Sequence, residues 1–152
     1  MSRNSQELSQ TVARNGWFFR LAPDFPADQI PGFPENLDFI LASGTILKDS
    51  RTTTAALCSA DGLPPFFLKR TNNKGAGFTF RYLFRRARAF RAAETICALR
   101  EAEIDTPAVL AVGEHRRGLR LCGGYIINEM RSEVCDMHAL LVKSSEPLRT
   151  LD

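Results

Sequence analysis

Lys69 closes a short run of apolar and aromatic residues, Pro65–Arg70, and such a lysine at a strand end is one half of a known chemical device. Transfer of a phosphoryl group from ATP asks a protein mainly for positioning and for neutralisation of charge. A lysine on the third strand of a small sheet can reach the phosphates, and a carboxylate on a packed helix can hold that lysine in place. A solvated strand end is the plainer reading of one lysine, so the elements around it decide. The other concentration of charge is five arginines between Arg81 and Arg91. Arg81, Arg85 and Arg88 follow i, i+4, i+7 spacing, which on a continuous helix gives one cationic face. Such a face suits lipid or nucleic-acid phosphates, or is simply solvated and paired with Glu94, Glu101 and Glu103.

Cysteine chemistry offers less. Cys58, Cys97, Cys122 and Cys135 form no CxxC pair and have no histidine at ligand spacing, so no structural zinc site is expected. Free thiols in a reducing compartment are the simpler reading. Gly75-Ala76-Gly77 lacks the third glycine and the strand–helix context of a dinucleotide fingerprint. The net charge of +3 over 152 residues argues only weakly for a polyanionic partner. No apolar run approaches the roughly 18 residues of a bilayer span, and the polar Met1–Thr11 shows no secretory signal. A cytoplasmic location follows as an expectation.

The elements that must position these residues are legible as patterns. Prolines at 23, 26, 31 and 34 make regular structure improbable before residue 37, so residues 1–37 read as an extension, with Trp17-Phe18-Phe19 packing it onto the body. Residues 39–48 and 52–59 read as strands, linked by Asp49-Ser50-Arg51. Ala60-Asp61-Gly62 reads as a hairpin turn leading to a third strand through Lys69. A helix is expected over residues 78–102, with a break near Arg85-Arg86. Its apolar positions, Ala89, Phe90, Ala92, Ala93, Ile96, Cys97 and Leu99, cover about half the circumference. Strands at 108–114 and 119–128 and a short helix at 132–142 complete an α+β order.

Several ordered segments then resemble one family. Gly44–Ser50, Phe67–Gly75, Tyr82–Arg91, Ile104–Leu110 and Tyr125–Met130 are similar to segments of the lipopolysaccharide kinase (Kdo/WaaP) family, whose fold resembles that of protein kinases. The resemblance spans roughly residues 37–140. It implies a kinase-like N-terminal lobe over residues 38–131: a five-stranded antiparallel sheet with one main helix. Residues 132–152 would then begin a second lobe whose catalytic and metal-holding aspartates are absent here, so the chain alone is not expected to turn over. By the same resemblance, Lys69 would meet the α- and β-phosphates of ATP. Residues Lys48 to Thr52 would form the loop over the nucleotide, with Ser50 near the phosphates. Glu129 and Met130 would lie at the hinge beside the adenine. Glu94, about 40° from Phe90 around the helix, is the available carboxylate, although the position expected from related folds is nearer Ala92. Mg²⁺ would be held by the missing lobe, which could be a separate polypeptide. The acceptor would be a lipopolysaccharide-core sugar at the inner membrane of a Gram-negative bacterium, with the arginines on the anionic surface. Two other readings stay open: a non-catalytic binding module, and a basic surface-binding domain for which nucleic acid ranks below the membrane.

Overall fold

The computed structural model describes residues 8–73 and 75–131. Seven strands form one antiparallel sheet: β1 (Gln10–Arg14), β2 (Trp17–Leu21), β3 (Thr45–Asp49), β4 (Thr53–Cys58), β5 (Phe66–Asn72), β6 (Val109–Arg117) and β7 (Arg120–Glu129). Their order is β1-β2-β6-β7-β5-β4-β3. Three helices accompany them: α1 (Leu37–Ser43), α2 (Ala76–Arg81) and α3 (Arg88–Glu101). The meander β3–β4–β5 passes through α2 and α3 to the hairpin β6–β7, whose second strand returns to pair with β5.

The sheet has seven strands where five were expected, because residues 10–21 form a hairpin at its edge. Asn15 and Gly16 both have positive φ, as a tight two-residue turn requires. A side chain at Gly16 would also collide with the Arg116 carbonyl. The aromatic run 17–19 is therefore a strand, with Phe19 and Trp17 buried on one face. The prolines act only on residues 22–36, where a single 3-10 turn occurs. Residues 39–48 also differ from expectation. Leu37, Ile40 and Leu41 keep i, i+3, i+4 spacing and bury one face of α1, so the strand begins only at Thr45. The expected helix at 132–142 lies outside the described residues.

Alternation along the strands feeds two cores. One lies between the sheet and residues 22–43, where Phe19, Leu37, Leu41, Leu68 and Ile127 are fully buried. Each such side chain contributes about 1.5–3 kcal/mol. The other lies beneath α3, with Phe90 and Ala93 on Val112, Leu121 and Ile126. Gly124 allows this approach, since a Cβ there would sit 2.7 Å from the Ala87 Cβ.

The helical region breaks between Arg81 and Arg88, and buried ionic groups hold the break. A Glu114 carboxylate oxygen accepts the Ala87 amide at 2.8 Å. Glu114 also pairs with Arg116 at 2.8 Å, with side chains only 10% and 20% exposed. Arg116 donates in turn to the carbonyls of Tyr82, Arg85 and Leu119. Backbone groups that a continuous helix would satisfy internally are satisfied here by side chains. Removing one partner leaves the other charge buried. Arg116→Ala is expected to cost about 3–5 kcal/mol, read by denaturant unfolding; a loss under about 1 kcal/mol would mean that the pair does not hold this segment.

Candidate functional site

Strand β5 places its side chains on opposite faces in turn, and this divides the chemistry. Lys69 lies opposite Ala55 on β4 and Ile126 on β7, and Ile126 belongs to the core beneath α3. Lys69 therefore lies on the helix-bearing face. Lys48 also pairs with Ala55, after an irregularity between Ile46 and Lys48. The cross-strand row Lys48–Ala55–Lys69 thus sets two ammonium-bearing chains on either side of an alanine, their backbones about 10 Å apart. Both lysines are exposed. Two residues away, Thr45–Leu57–Phe67 forms a parallel row with an apolar centre. On this face of β4, Thr53, Ala55 and Leu57 stay partly exposed, while Thr54, Ala56 and Cys58 are buried on the other.

Beyond the apolar row lies the chain's exit from β7. Glu129 accepts the Ala108 amide at 3.0 Å and an Arg131 N–H at 2.9 Å. Burial pushes its pKa up, but these two donors outweigh that and hold it below the usual carboxylate value. Arg131 also bonds to Asp105. Met130 is exposed beside this clamp. Asn128, which the sequence reading passed over, pairs with Phe67 across the ladder, and its Oδ1 is buried without a hydrogen-bond partner. Only the placement of this amide next to a partly exposed apolar row marks it; sequence carries no such signal.

Ser50 is committed elsewhere. Its hydroxyl donates to the Thr53 carbonyl at 3.0 Å and accepts the Thr53 amide at 3.1 Å, closing the β3–β4 turn. Glu94 is exposed on α3, and no ion pair joins it to Lys69 among the described residues. The flank of α3 explains this. Phe90 stacks toward Phe18 on β2, at 6.0 Å between centroids. Glu94 follows Phe90 by about 40° around the helix, next to the ring that meets Phe18 on β2. Ala92 lies on the opposite flank.

Arg81, Arg85 and Arg88 are all exposed but share no helical face, because Arg81 ends α2, Arg85 lies in the turn and Arg88 begins α3. Arg86 instead lies over the rings of Phe18 and Phe90, at 5.4 and 5.2 Å. Phe80 and Phe84 in this segment are 80% and 88% exposed. Cys58, Cys97 and Cys122 are free thiols, and only Cys58 is buried. No group of three potential metal ligands occurs among the described residues. No helix among them is long and apolar enough to cross a membrane.

The opposite face, unanticipated by sequence, carries an open recess of about 640 Å³. Its floor is one hydrogen-bonded chain. Asp38 Oδ1 accepts from the Tyr125 hydroxyl and from Arg70 Nη1, both at 2.9 Å. Arg70 Nε donates to Asn72, Asn72 to Thr54, and Thr54 to Asp49. Burial, with the Asp38 charge and its hydrogen bond, pushes the Tyr125 pKa far up, so the phenol stays protonated as a donor. His115 stacks on Trp17 with centroids 4.2 Å apart and planes 8° apart. Burial, with Arg117 nearby, lowers the His115 pKa below 6.5 despite the opposing pull of Asp38.

Neither family models, curated proteins nor solved structures match the chain.

A folded-state pKa below the unfolded value binds fewer protons than the unfolded chain. The His115 contribution is therefore complete above about pH 6.5 and is lost as pH falls through the lower folded value. The melting temperature should fall between pH 7 and pH 5, and His115→Asn should flatten that slope; an unchanged slope in the variant would remove His115 as its source.

Proposed function

We propose that this chain is a nucleotide-binding lobe of kinase-like architecture, in which Lys48 and Lys69 receive the phosphates of ATP. The observation that carries the reading is the cross-strand row Lys48–Ala55–Lys69 on the helix-bearing face of the meander. A small residue between two cations leaves room for a polyanion to approach the sheet. The parallel row Leu57–Phe67 offers a flat apolar surface about 7 Å along the strands, the right order of distance between a base and its phosphates. Glu129 and Met130, assigned by resemblance to the hinge, follow where β7 leaves the sheet beside Asn128.

Support also comes from topology. A meander, a helical crossover and a hairpin follow in the order read from the sequence, and the last strand of the hairpin pairs with the lysine-bearing strand. Phosphorylation of a lipopolysaccharide-core sugar is the corresponding parent reaction. The lysine–carboxylate pair of protein kinases is not formed by Glu94, so Lys69 meets phosphate without that brace. Nucleotide binding, with Mg²⁺ arriving on the nucleotide and held by a second lobe, is accordingly the proposal for this chain. Lys69→Ala is expected to weaken ATP binding by at least about tenfold, the loss of one charge-assisted contact, in a titration with fluorescent ATP. Equal affinity in both proteins would remove Lys69 from any phosphate role.

A second reading rests on a different observation, the exposure of Phe80 and Phe84 among arginines. From Gly62 to Ala93 the chain holds no Asp or Glu. Aromatic rings beside guanidinium groups suit the interface of an anionic bilayer. Phe80→Ser with Phe84→Ser should abolish sedimentation with phosphatidylglycerol vesicles while leaving ATP affinity unchanged. Vesicle binding that persists in this variant, or that is equal on neutral vesicles, would remove the reading.

A further inference from the structure

The recess on the face opposite the lysines is lined by three carboxylates and three guanidinium groups, and two of the guanidinium groups have no carboxylate partner among the described residues. Each carboxylate lining it is engaged. Glu35 pairs with Arg14 at 3.0 Å, Asp38 with Arg70 at 2.9 Å, and Asp49 accepts from Thr54 at 3.0 Å. At the mouth, Arg117 and Arg120 lie directly opposite each other in the β6–β7 hairpin. Both line the recess, both are exposed, and neither has an ion-pair partner among the described residues. Like charges directly opposite on a ladder destabilise it. A third guanidinium, Arg70, reaches the same space from the floor with Nε and Nη1 engaged. Three guanidinium groups around one hollow offer the forked donors that phosphate oxygens accept in pairs.

The rest of the lining has a different chemistry. Asp38 and Asp49 carry carboxylate oxygens, and Thr54, Asn72 and Tyr125 carry hydroxyl and amide groups fixed by the floor network. These are groups that meet hydroxyls, not apolar surface. Gly123 adds room, since a side chain there would meet the Tyr125 hydroxyl at 3.3 Å. The recess is open to solvent, and its volume admits a molecule larger than a single ion.

We propose that this recess binds a small phosphate-bearing polyhydroxylated molecule, with Arg117 and Arg120 clamping the phosphate at the mouth and the floor of Asp38, Asn72 and Tyr125 meeting the hydroxyls. The site is separate from the lysine row, because Arg70 and Lys69 are neighbours on one strand and face opposite ways. It stands whether or not the lysines bind nucleotide.

The chain's single tryptophan, Trp17, lines the recess and provides a local signal. Ribose 5-phosphate, inorganic phosphate and ribose would be titrated into the full chain, followed by Trp17 fluorescence and by calorimetry. Ribose 5-phosphate should give a saturable response with at least about tenfold higher affinity than either of the other two. Arg117→Ala with Arg120→Ala should lower that affinity at least about tenfold, whereas Lys69→Ala should leave it unchanged. Arg120→Glu should abolish binding and raise the melting temperature of the free protein by about 2 °C, by relieving the like-charge pair. No saturable response below about 10 mM, a weak-binding bound well above ordinary metabolite affinities, would overturn the proposal. So would rim variants that bind as tightly as the parent, a loss of binding in Lys69→Ala, or equal affinity for inorganic phosphate and ribose 5-phosphate.

Discussion

The ladder between β5 and β7, running in unbroken register from Phe66 opposite Glu129 to Asn72 opposite Gly123, is the interaction on which the other features rest. It joins the meander to the hairpin across a helical crossover of the chain, and it fixes which side chain of β5 faces which layer. A slip by one residue would exchange the two faces completely, sending Leu68 out of its core and Lys69 into it. The register is specified because both faces are committed. Phe66 and Leu68 are buried with Tyr125 and Ile127 on one side, while Ile126 lies beneath α3 on the other.

That constraint separates two chemistries by the thickness of one sheet. The helix-bearing face remains open beyond α3 and presents ammonium groups over alanine and partly exposed apolar side chains. The other face, covered by residues 22–43 for much of its area, closes around a hydrogen-bonded polar floor instead of completing its core. Where the cover stops, Asp38 at the start of α1 reaches Tyr125 and Arg70, and the apolar layer gives way to polar contacts. The charge on each face is thus set by geometry and not by the chain's modest net charge.

Much of the frame was legible from residue patterns. The β-branched and apolar runs at 52–59 and 65–70, the Asp61-Gly62 turn, the helical break near Arg85-Arg86 and the two strands at 108–114 and 119–128 all follow from local rules, and they placed Lys69 on a third strand of the meander. The N-terminal hairpin lies before the prolines, which act only after residue 22, and Asn15-Gly16 is a strong hairpin signal in its own right. Residues 39–43 read as strand where the chain is helical, since a short apolar run carries too few periods to separate the two. The arginine triad failed for a tertiary reason. Its common face assumes a continuous helix, and the buried pair Glu114–Arg116 holds the backbone out of one. For Glu94 both readings, partner of Lys69 or solvated helix residue, were open in the sequence, because its direction depends on how Phe90 meets Phe18. The recess left no sequence signature, as its lining is drawn from distant elements of the chain.

The claim that the lysine-bearing face receives nucleotide is tested most directly by methyl NMR on alanine- and leucine-labelled protein during titration with ATP. Ala55 and Leu57 lie on that face, and Ala56 and Leu68 on the other. The account predicts saturable shifts at Ala55 and Leu57 with Ala56 and Leu68 unmoved. Shifts confined to Ala56 and Leu68, or none at saturating nucleotide, would contradict it.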